Sequence, residues 1–272
     1  MSTTTQFSLA LVTGSSSGIG EALSHLLADK GINLIIHGRD KDKLEKVAQE
    51  LRQKVQVTIV QADLKQPEGR KKVVEIIHTM KPDLVVNNAG LGMYGEALSY
   101  ETSASVDLLE VDGVAVLELS LEAARTLVSA GKKGVILNVS SAAAYPIFPL
   151  FAVYSASKAF VNQFSESFDE EMKPYGIRVL TACPGVVATN FRSRSGGKSQ
   201  TGIVKDKVMT VDFAANEIWN QIQKGKKTHI FNWTYRLSLF FVRYLLPKSV
   251  VAKTVRKGMM SFLKPRPIIK LK

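Results

Sequence analysis

Near the start of the chain, Thr13-Gly14-Ser15-Ser16-Ser17-Gly18-Ile19-Gly20 joins an apolar run to a helical stretch. Leu9–Thr13 reads as a strand. Ile19, Ala22, Leu23, Leu26 and Leu27 recur at helical spacing up to Lys30, and Gly31 supplies the stop. A strand that turns on glycines directly into a helix commits that helix to packing back across a sheet. The same glycines let the backbone approach an anion closely. The helix N-terminus beyond them offers free N–H groups and the positive end of a dipole. An ordinary strand-to-helix turn would also use glycine. The flanks are nevertheless those a dinucleotide-binding turn requires, and the pattern arises by chance in roughly one chain in a few hundred.

The alternation continues. Asn33–His37 is a second strand, and Asp40 is placed to N-cap a helix carrying Leu44, Val47, Ala48 and Leu51. Val55–Ala62 is a third strand, Pro67–Met80 a helix and Leu84–Asn87 a fourth strand. A long helix is expected over 102–130, a fifth strand at Val135–Val139, a helix at Ala152–Tyr175 and a sixth strand at Arg178–Ala182. The pattern predicts an α/β fold: a doubly wound (Rossmann) parallel sheet of about seven strands, helices on both faces, and a C-terminal helical extension. A chain of 272 residues, 45% hydrophobic, suffices for one domain. Residues 7–191 would be its core, and 192–272 a substrate loop with basic and apolar helices. Ser193–Ser199 reads as a flexible loop. Cys183 is the only cysteine, so a reducing, cytoplasmic setting is expected. Neither a signal peptide, a spanning helix nor a metal site is expected.

Tyr154 and Lys158 stand four residues apart on one face of the predicted helix, with Ser141 thirteen residues upstream. An ammonium beside a phenol favours the phenolate and lowers its pKa from about 10, giving a proton donor or acceptor usable near neutrality. The spacing is common by chance, and Tyr244 and Lys248 repeat it. That second copy holds the helix-breaking Pro247 and has Phe231 where the first has Ser141. After the second strand comes His37-Gly38-Arg39-Asp40, with no acid at the strand end to accept a ribose hydroxyl. Arg39 offers a planar cation suited to a 2′-phosphate, which favours NADP over NAD; it would otherwise be a surface arginine paired with Asp40 or Asp42. Asp63, followed by Leu64, would accept from an adenine amino group or else cap a helix. Asn87-Asn88-Ala89-Gly90 ends the fourth strand in small residues that let backbone pack against adenosine.

Taken together, these residues resemble the short-chain dehydrogenase/reductase family. The order is the glycine turn at 13–20, Asn87-Asn88-Ala89-Gly90, Ser141, Tyr154-Ser-Ala-Ser-Lys158 and Pro184-Gly185-Val186-Val187-Ala188-Thr189, so the similarity covers about residues 7–191. The resemblance implies that Tyr154 exchanges the proton and that Lys158 binds the nicotinamide ribose and lowers the tyrosine pKa. Ser141 would hydrogen-bond the substrate carbonyl, while neighbouring Ser140 would point the other way. It implies cofactor contacts from Thr13, Gly14, Ser16, Gly18, Ile19, Gly20, Arg39, Asp63, Leu64, Asn88, Ala89, Gly90, Pro184, Gly185, Val187 and Thr189. Two positions depart from the family. Asp112 stands where a catalytic asparagine is usual, and its charge would pair with Lys158. Ser17 stands where many NADP-preferring relatives are basic. The implied activity is NADPH-dependent interconversion of a ketone or aldehyde and an alcohol, on an apolar, lipid- or acyl-type substrate, in a homodimer or homotetramer. The competing expectation is a catalytically weak NADP(H)-binding sensor or membrane-surface protein on the same fold.

The net charge of +12 is unevenly placed. Residues 192–272 hold 18 Lys/Arg against 3 Asp/Glu, and no acid follows Glu217. Phe231–Leu246 is aromatic and aliphatic, and Val250–Leu263 carries Lys253, Arg256 and Lys257 at helical spacing. The tail from Lys264 is too proline-rich for a helix. Such a segment would pack as core or interface, close an apolar pocket, or touch an anionic membrane surface through 218–272 while the protein stays peripheral. No nucleic-acid-binding module is apparent.

Overall fold

The computed structural model describes residues 7–197, 208–260, 263 and 267–269, apart from the Arg243 side chain. The end of the 193–199 loop and most of the proline-rich tail lie outside the described residues. The first half runs β1 (Leu9–Thr13), α1 (Gly18–Asp29), β2 (Asn33–Gly38), α2 (Lys41–Leu51), β3 (Val57–Gln61), α3 (Pro67–Met80) and β4 (Leu84–Asn87). Then come α4 (Thr102–Leu109), α5 (Ala115–Ser129), β5 (Gly134–Val139), α6 (Ala152–Met172) and β6 (Ile177–Cys183). The chain continues with α7 (Phe191–Arg194), α8 (Val211–Lys224), β7 (Thr228–Ile230), α9 (Trp233–Tyr244) and α10 (Lys248–Met260).

The described strands form one parallel seven-stranded sheet in the order β3-β2-β1-β4-β5-β6-β7. The doubly wound arrangement predicted from the alternation is therefore the observed one. Because successive strand side chains face opposite ways, each strand feeds two cores. Ala10, Val12, Leu34, Ile36, Leu84 and Val86 pack with Leu23, Leu27, Leu44 and Ile218, on the side of α1, α2 and α8. Leu11, Ile35, Val85, Ile136 and Val179 pack with Val73, Ile77, Leu119 and Phe168, on the side of α3, α5 and α6. A buried amide chain ties the second layer together. Asn87 Nδ2 donates to Asn138 Oδ1 at 2.8 Å, Ser120 Oγ donates to the same oxygen at 3.2 Å, and Asn138 Nδ2 donates to Ser165 Oγ at 2.9 Å.

Four elements differ from the sequence reading. The third strand starts later, because Val55 N–H still donates to Leu51 O at the end of α2. The stretch expected as one helix over 102–130 is interrupted by a π-turn, Glu110–Val114, and ends at Ser129. The helix beginning at Ala152 gives way at Lys173–Tyr175 to a 3₁₀ turn, where Gly176 takes φ 73° to reverse the chain. The seventh strand, Thr228–Ile230, has only one strongly apolar residue and carried no readable alternation. Asp40 does cap α2, accepting from Lys43 N–H at 3.2 Å.

His37, at the end of β2, is buried; its Nε2 meets Ala62 O at 3.1 Å. Burial pushes the imidazole down to about 4, against the hydrogen bond to Ala62, which favours the protonated ring. The folded protein therefore keeps His37 neutral where an unfolded chain would bind a proton. Its contribution is complete above pH 6.5 and is lost as pH falls toward 4. His37→Gln should flatten the stability profile in that window, the wild type losing a few kcal/mol relative to the variant between pH 7 and pH 4; urea unfolding across the range measures this.

Candidate active site

The carboxyl ends of the parallel strands place the turn after β1, the loop after β4, Ser141 after β5 and the 184–189 segment after β6 along one edge. Gly14 and Gly18 adopt φ 71° and 64°, conformations that favour glycine. Gly20 is required for a different reason: a Cβ there would overlap Gly14 O and Asn88 Nδ2. Thr13 Oγ1 accepts from Asn88 N–H at 2.9 Å and Ala89 N–H at 3.0 Å, while Asn88 Nδ2 donates to Thr13 O at 2.9 Å. The turn is thus sewn to the end of β4 and leaves the N-terminus of α1 facing outward. Thr189 lies over it, its Cγ2 3.1 Å from where Gly18 would carry a Cβ, and Ser16 Oγ lies 3.2 Å from the equivalent point on Gly38. Ile19 packs against the core.

Arg39 is exposed at the end of β2; its carbonyl accepts from Gln61 Nε2. Among the described residues it pairs with neither Asp40 nor Asp42, since Asp40 is bound by Lys43 at 2.6 Å. Asp63 accepts from Lys65 N–H at 3.1 Å and does not cap α3, whose N-cap residue is Gln66. Leu64 is buried and its carbonyl accepts from Arg70. Pro184 O accepts from Ala142 N–H, Gly185 lies against Tyr235, and Val187 bridges to Met209. Arg194, which no local pattern marks, reaches across from α7 to donate from Nη2 to Ser17 Oγ at 3.1 Å. A cation therefore stands at the position where Ser17 itself supplies none. A cavity of about 690 Å³ opens there, lined by Ser17, Gly18, Glu21, Thr189, Arg192 and Arg194 among others. A glycine-lined helix N-terminus flanked by arginines fits a dinucleotide bearing phosphates.

Ser141, Tyr154, Lys158 and Asp112 come together at the other end of this edge. Ser141 Oγ accepts from Ala143 N–H at 3.1 Å and also hydrogen-bonds Tyr154. Ser140 points the other way, donating to Lys158 O at 2.9 Å and fixing α6 to the end of β5. Lys158 Nζ donates to Val139 O at 3.2 Å and lies 3.1 Å from Asp112 Oδ2. Both side chains are buried, the lysine 4% exposed and the aspartate 0%. Asp112 sits on the π-turn and accepts from Leu91 N–H through Oδ1 at 2.6 Å. Gly90 stands beside the pair: a Cβ there would lie 3.4 Å from Asp112 Oδ1 and 3.6 Å from Lys158 Nζ. Burial pushes the Asp112 carboxyl above its ordinary range, against the pull of Lys158 and the Leu91 amide.

The sequence reading had Lys158 lowering the Tyr154 pKa. In the structure the balance runs the other way. Lys158 Nζ is 5.7 Å from the Tyr154 ring centre and is engaged by Val139 and Asp112. Burial first, then the Asp112 charge, raise the phenol well above its usual value; the Ser141 hydrogen bond opposes them. The burial is aromatic. Phe151 stacks on Tyr154 at 4.2 Å and on Tyr94 at 4.0 Å, and Phe191 lies 5.7 Å from the Tyr154 ring. Met93, Ala143, Phe148 and Leu150 complete the wall. Val255 and Met259 of α10 also enter it, a contribution about a hundred residues away in sequence with no local signal. The arrangement can hold a carbonyl oxygen between a serine and a tyrosine hydroxyl while an apolar group rests on the rings.

Comparison with known proteins gives the same direction. The family model described as short chain dehydrogenase matches residues 8–199. A very-long-chain 3-oxoacyl-CoA reductase-like protein of Arabidopsis thaliana is 31% identical over 256 residues, covering 90% of this chain and 78% of that protein. The 17-beta-hydroxysteroid dehydrogenase type 3 of Mus musculus is 30% identical over 213 residues, covering 76% and 70%. Among solved structures, a short-chain dehydrogenase from Sphingobium yanoikuyae in complex with NADPH superposes with a TM-score of 0.77 at 26% identity, covering 93% of this chain and 95% of that one.

Removing the Asp112 charge should lower the Tyr154 phenol pKa, while the burial that raises it most remains. In Asp112→Asn, the phenolate absorbance step that disappears in a Tyr154→Phe background is expected about one pH unit or more below its wild-type position. Ultraviolet difference titration checks the shift.

Proposed function

The chain belongs to the short chain dehydrogenase family, oxidoreductases that interconvert carbonyl and CH–OH groups with a nicotinamide cofactor, and on that premise we propose an NADPH-dependent enzyme acting on an apolar ketone or secondary alcohol. The observation that carries the substrate class is the ring stack of Tyr94, Phe151 and Tyr154 around the reacting hydroxyl. The names of the Arabidopsis and mouse relatives, an acyl-CoA reductase-like protein and a hydroxysteroid dehydrogenase, accord with such a lining. Arg39, exposed and without an ion pair among the described residues, supports the choice of NADP(H) over NAD(H). The proposal treats residues 7–191 as the nucleotide and catalytic core and 192–272 as the substrate side of the same domain, since α8 packs on the sheet and α10 on the Tyr154 cluster.

With its pyrophosphate at the glycine turn, a bound nicotinamide dinucleotide would supply or take the hydride. Tyr154 would give its hydroxyl proton to the carbonyl oxygen in reduction and recover it in oxidation. Ser141 would donate to the same oxygen as negative charge grows there. Lys158 would hold the ribose and Thr189 the carboxamide, with Thr13, Gly14, Ser16, Gly18, Ile19, Gly20, Asn88, Ala89, Gly90, Pro184, Gly185 and Val187 shaping the cradle and Asp63 and Leu64 flanking the base. A homodimer or homotetramer through the long helices is part of the reading, because Val106, Leu109, Val114 and Phe160 are exposed there.

The Asp112–Lys158 contact favours a second reading, a nucleotide-binding protein with weak turnover, since the aspartate charge opposes that of the lysine beside the tyrosine. Turnover separates the two. Purified protein with NADPH should reduce members of a panel of apolar ketones, and Tyr154→Phe should lose at least about a hundredfold in rate while NADPH still binds. Wild-type protein that binds NADPH but reduces nothing sides with the second reading. Arg39→Ala should weaken NADPH about tenfold or more and leave NADH affinity unchanged, as fluorescence titration of the two nucleotides would record.

A further inference from the structure

We propose that α9 docks the protein onto an anionic lipid surface. Helices of soluble domains turn their broadest apolar stripe to the core. Here α9 does the reverse. Tyr235, Leu239 and Val242 face inward, while Trp233, Leu237, Phe240, Phe241 and Tyr244 form a stripe about 100° wide on the exposed side. Trp233 is 64% exposed and Tyr244 65%. Beyond the helix, Leu245, Leu246 and Val250 continue the exposed surface. An apolar patch of this length on a described surface marks a contact site.

The surrounding charge selects the partner. Arg236 flanks the stripe, and Lys248, Lys253 and Lys257 follow on α10; all four are exposed and make no ion pair among the described residues. Arg256 is bound by Glu96 and Lys227 by Glu170, so they are not counted. Since no acid follows Glu217, nothing on this part of the chain offsets the cations. A protein partner would be matched by mixed charge, whereas aromatic rings beside unopposed Lys and Arg match phospholipid headgroups above acyl chains. The described helices hold no candidate for a membrane span, so contact would be in the plane of the interface. On its inner side α10 sends Val255 and Met259 into the Tyr154 cluster.

Sedimentation of the full chain with vesicles tests the proposal without reference to turnover. Vesicles of phosphatidylcholine containing about a third phosphatidylserine should carry the protein down at low salt, phosphatidylcholine alone should not, and about 0.5 M salt should weaken binding tenfold or more. Trp233 emission should shift to the blue on binding. Leu237→Ser/Phe240→Ser/Phe241→Ser should bind at least about tenfold more weakly with an unchanged melting temperature, since all three side chains are exposed. Absence of binding to the anionic vesicles at low salt, or equal binding by the triple variant, overturns the proposal. So does a wild-type dimer that the triple variant converts to monomer while vesicles stay unbound, which assigns the face to a second copy.

Discussion

The seam between β1 and β4 carries the working edge of the molecule. Strand order reverses direction there, and at such a point the loops of adjacent strands diverge and leave a crevice. Thr13 closes the base of that crevice with three hydrogen bonds, two into its hydroxyl from the Asn88 and Ala89 amides and one onto its carbonyl from the Asn88 side chain. Each contributes on the order of 1 kcal/mol in net terms, but leaving any donor unsatisfied at a part-buried site costs more. The side chain of Asn88 also occupies the space against which Gly20 must pack, so the first turn of α1 is positioned by a residue nearly seventy positions away.

At the opposite end, the buried contact of Asp112 and Lys158 joins four elements: the π-turn, the loop after β4 through Leu91, the end of β5 through Val139, and α6 itself. Removing two charges from water costs several kcal/mol apiece, and only close approach with further donors repays it. The Leu91 amide and the Val139 carbonyl supply those extra partners. The consequence for chemistry is a division of labour different from the simplest one. The lysine steadies an aspartate and a strand end, and the tyrosine hydroxyl is governed by aromatic burial and Ser141.

The parts of this structure that depend on residues close in sequence were readable before any coordinates. The glycine turn, the alternating strands and the Ser141, Tyr154 and Lys158 spacing all express local periodicity or short-range sterics. The π-turn was not: its five residues, Glu-Val-Asp-Gly-Val, include poor helix formers, but nothing in their spacing marks a π register, and the bond from Leu91 N–H to Asp112 is a tertiary contact. Strand β7 was missed because three residues hold too little pattern, and its pairing with β6 comes from α8 returning the chain to the sheet edge. Arg194 at Ser17 and Met259 at the Tyr154 cluster are tertiary meetings across 177 and about a hundred positions. The direction of the Tyr154 shift failed for the same reason: spacing shows that a lysine is near, but not what else has claimed it.

Cys183 sits at the end of β6 with its thiol fully enclosed, 3.5 Å from Asn162 Oδ1 and 3.6 Å from the Tyr145 hydroxyl. Burial pushes the thiol up to about 12, so almost no thiolate exists at physiological pH. As the chain's sole sulfhydryl, it gives the native molecule no handle for oxidants or alkylating reagents. Any labelling that does occur reports a moment when β6 has parted from α6. The sequence thus contains its own clock for the opening of the sheet, read by the rate at which one sulfur becomes reachable.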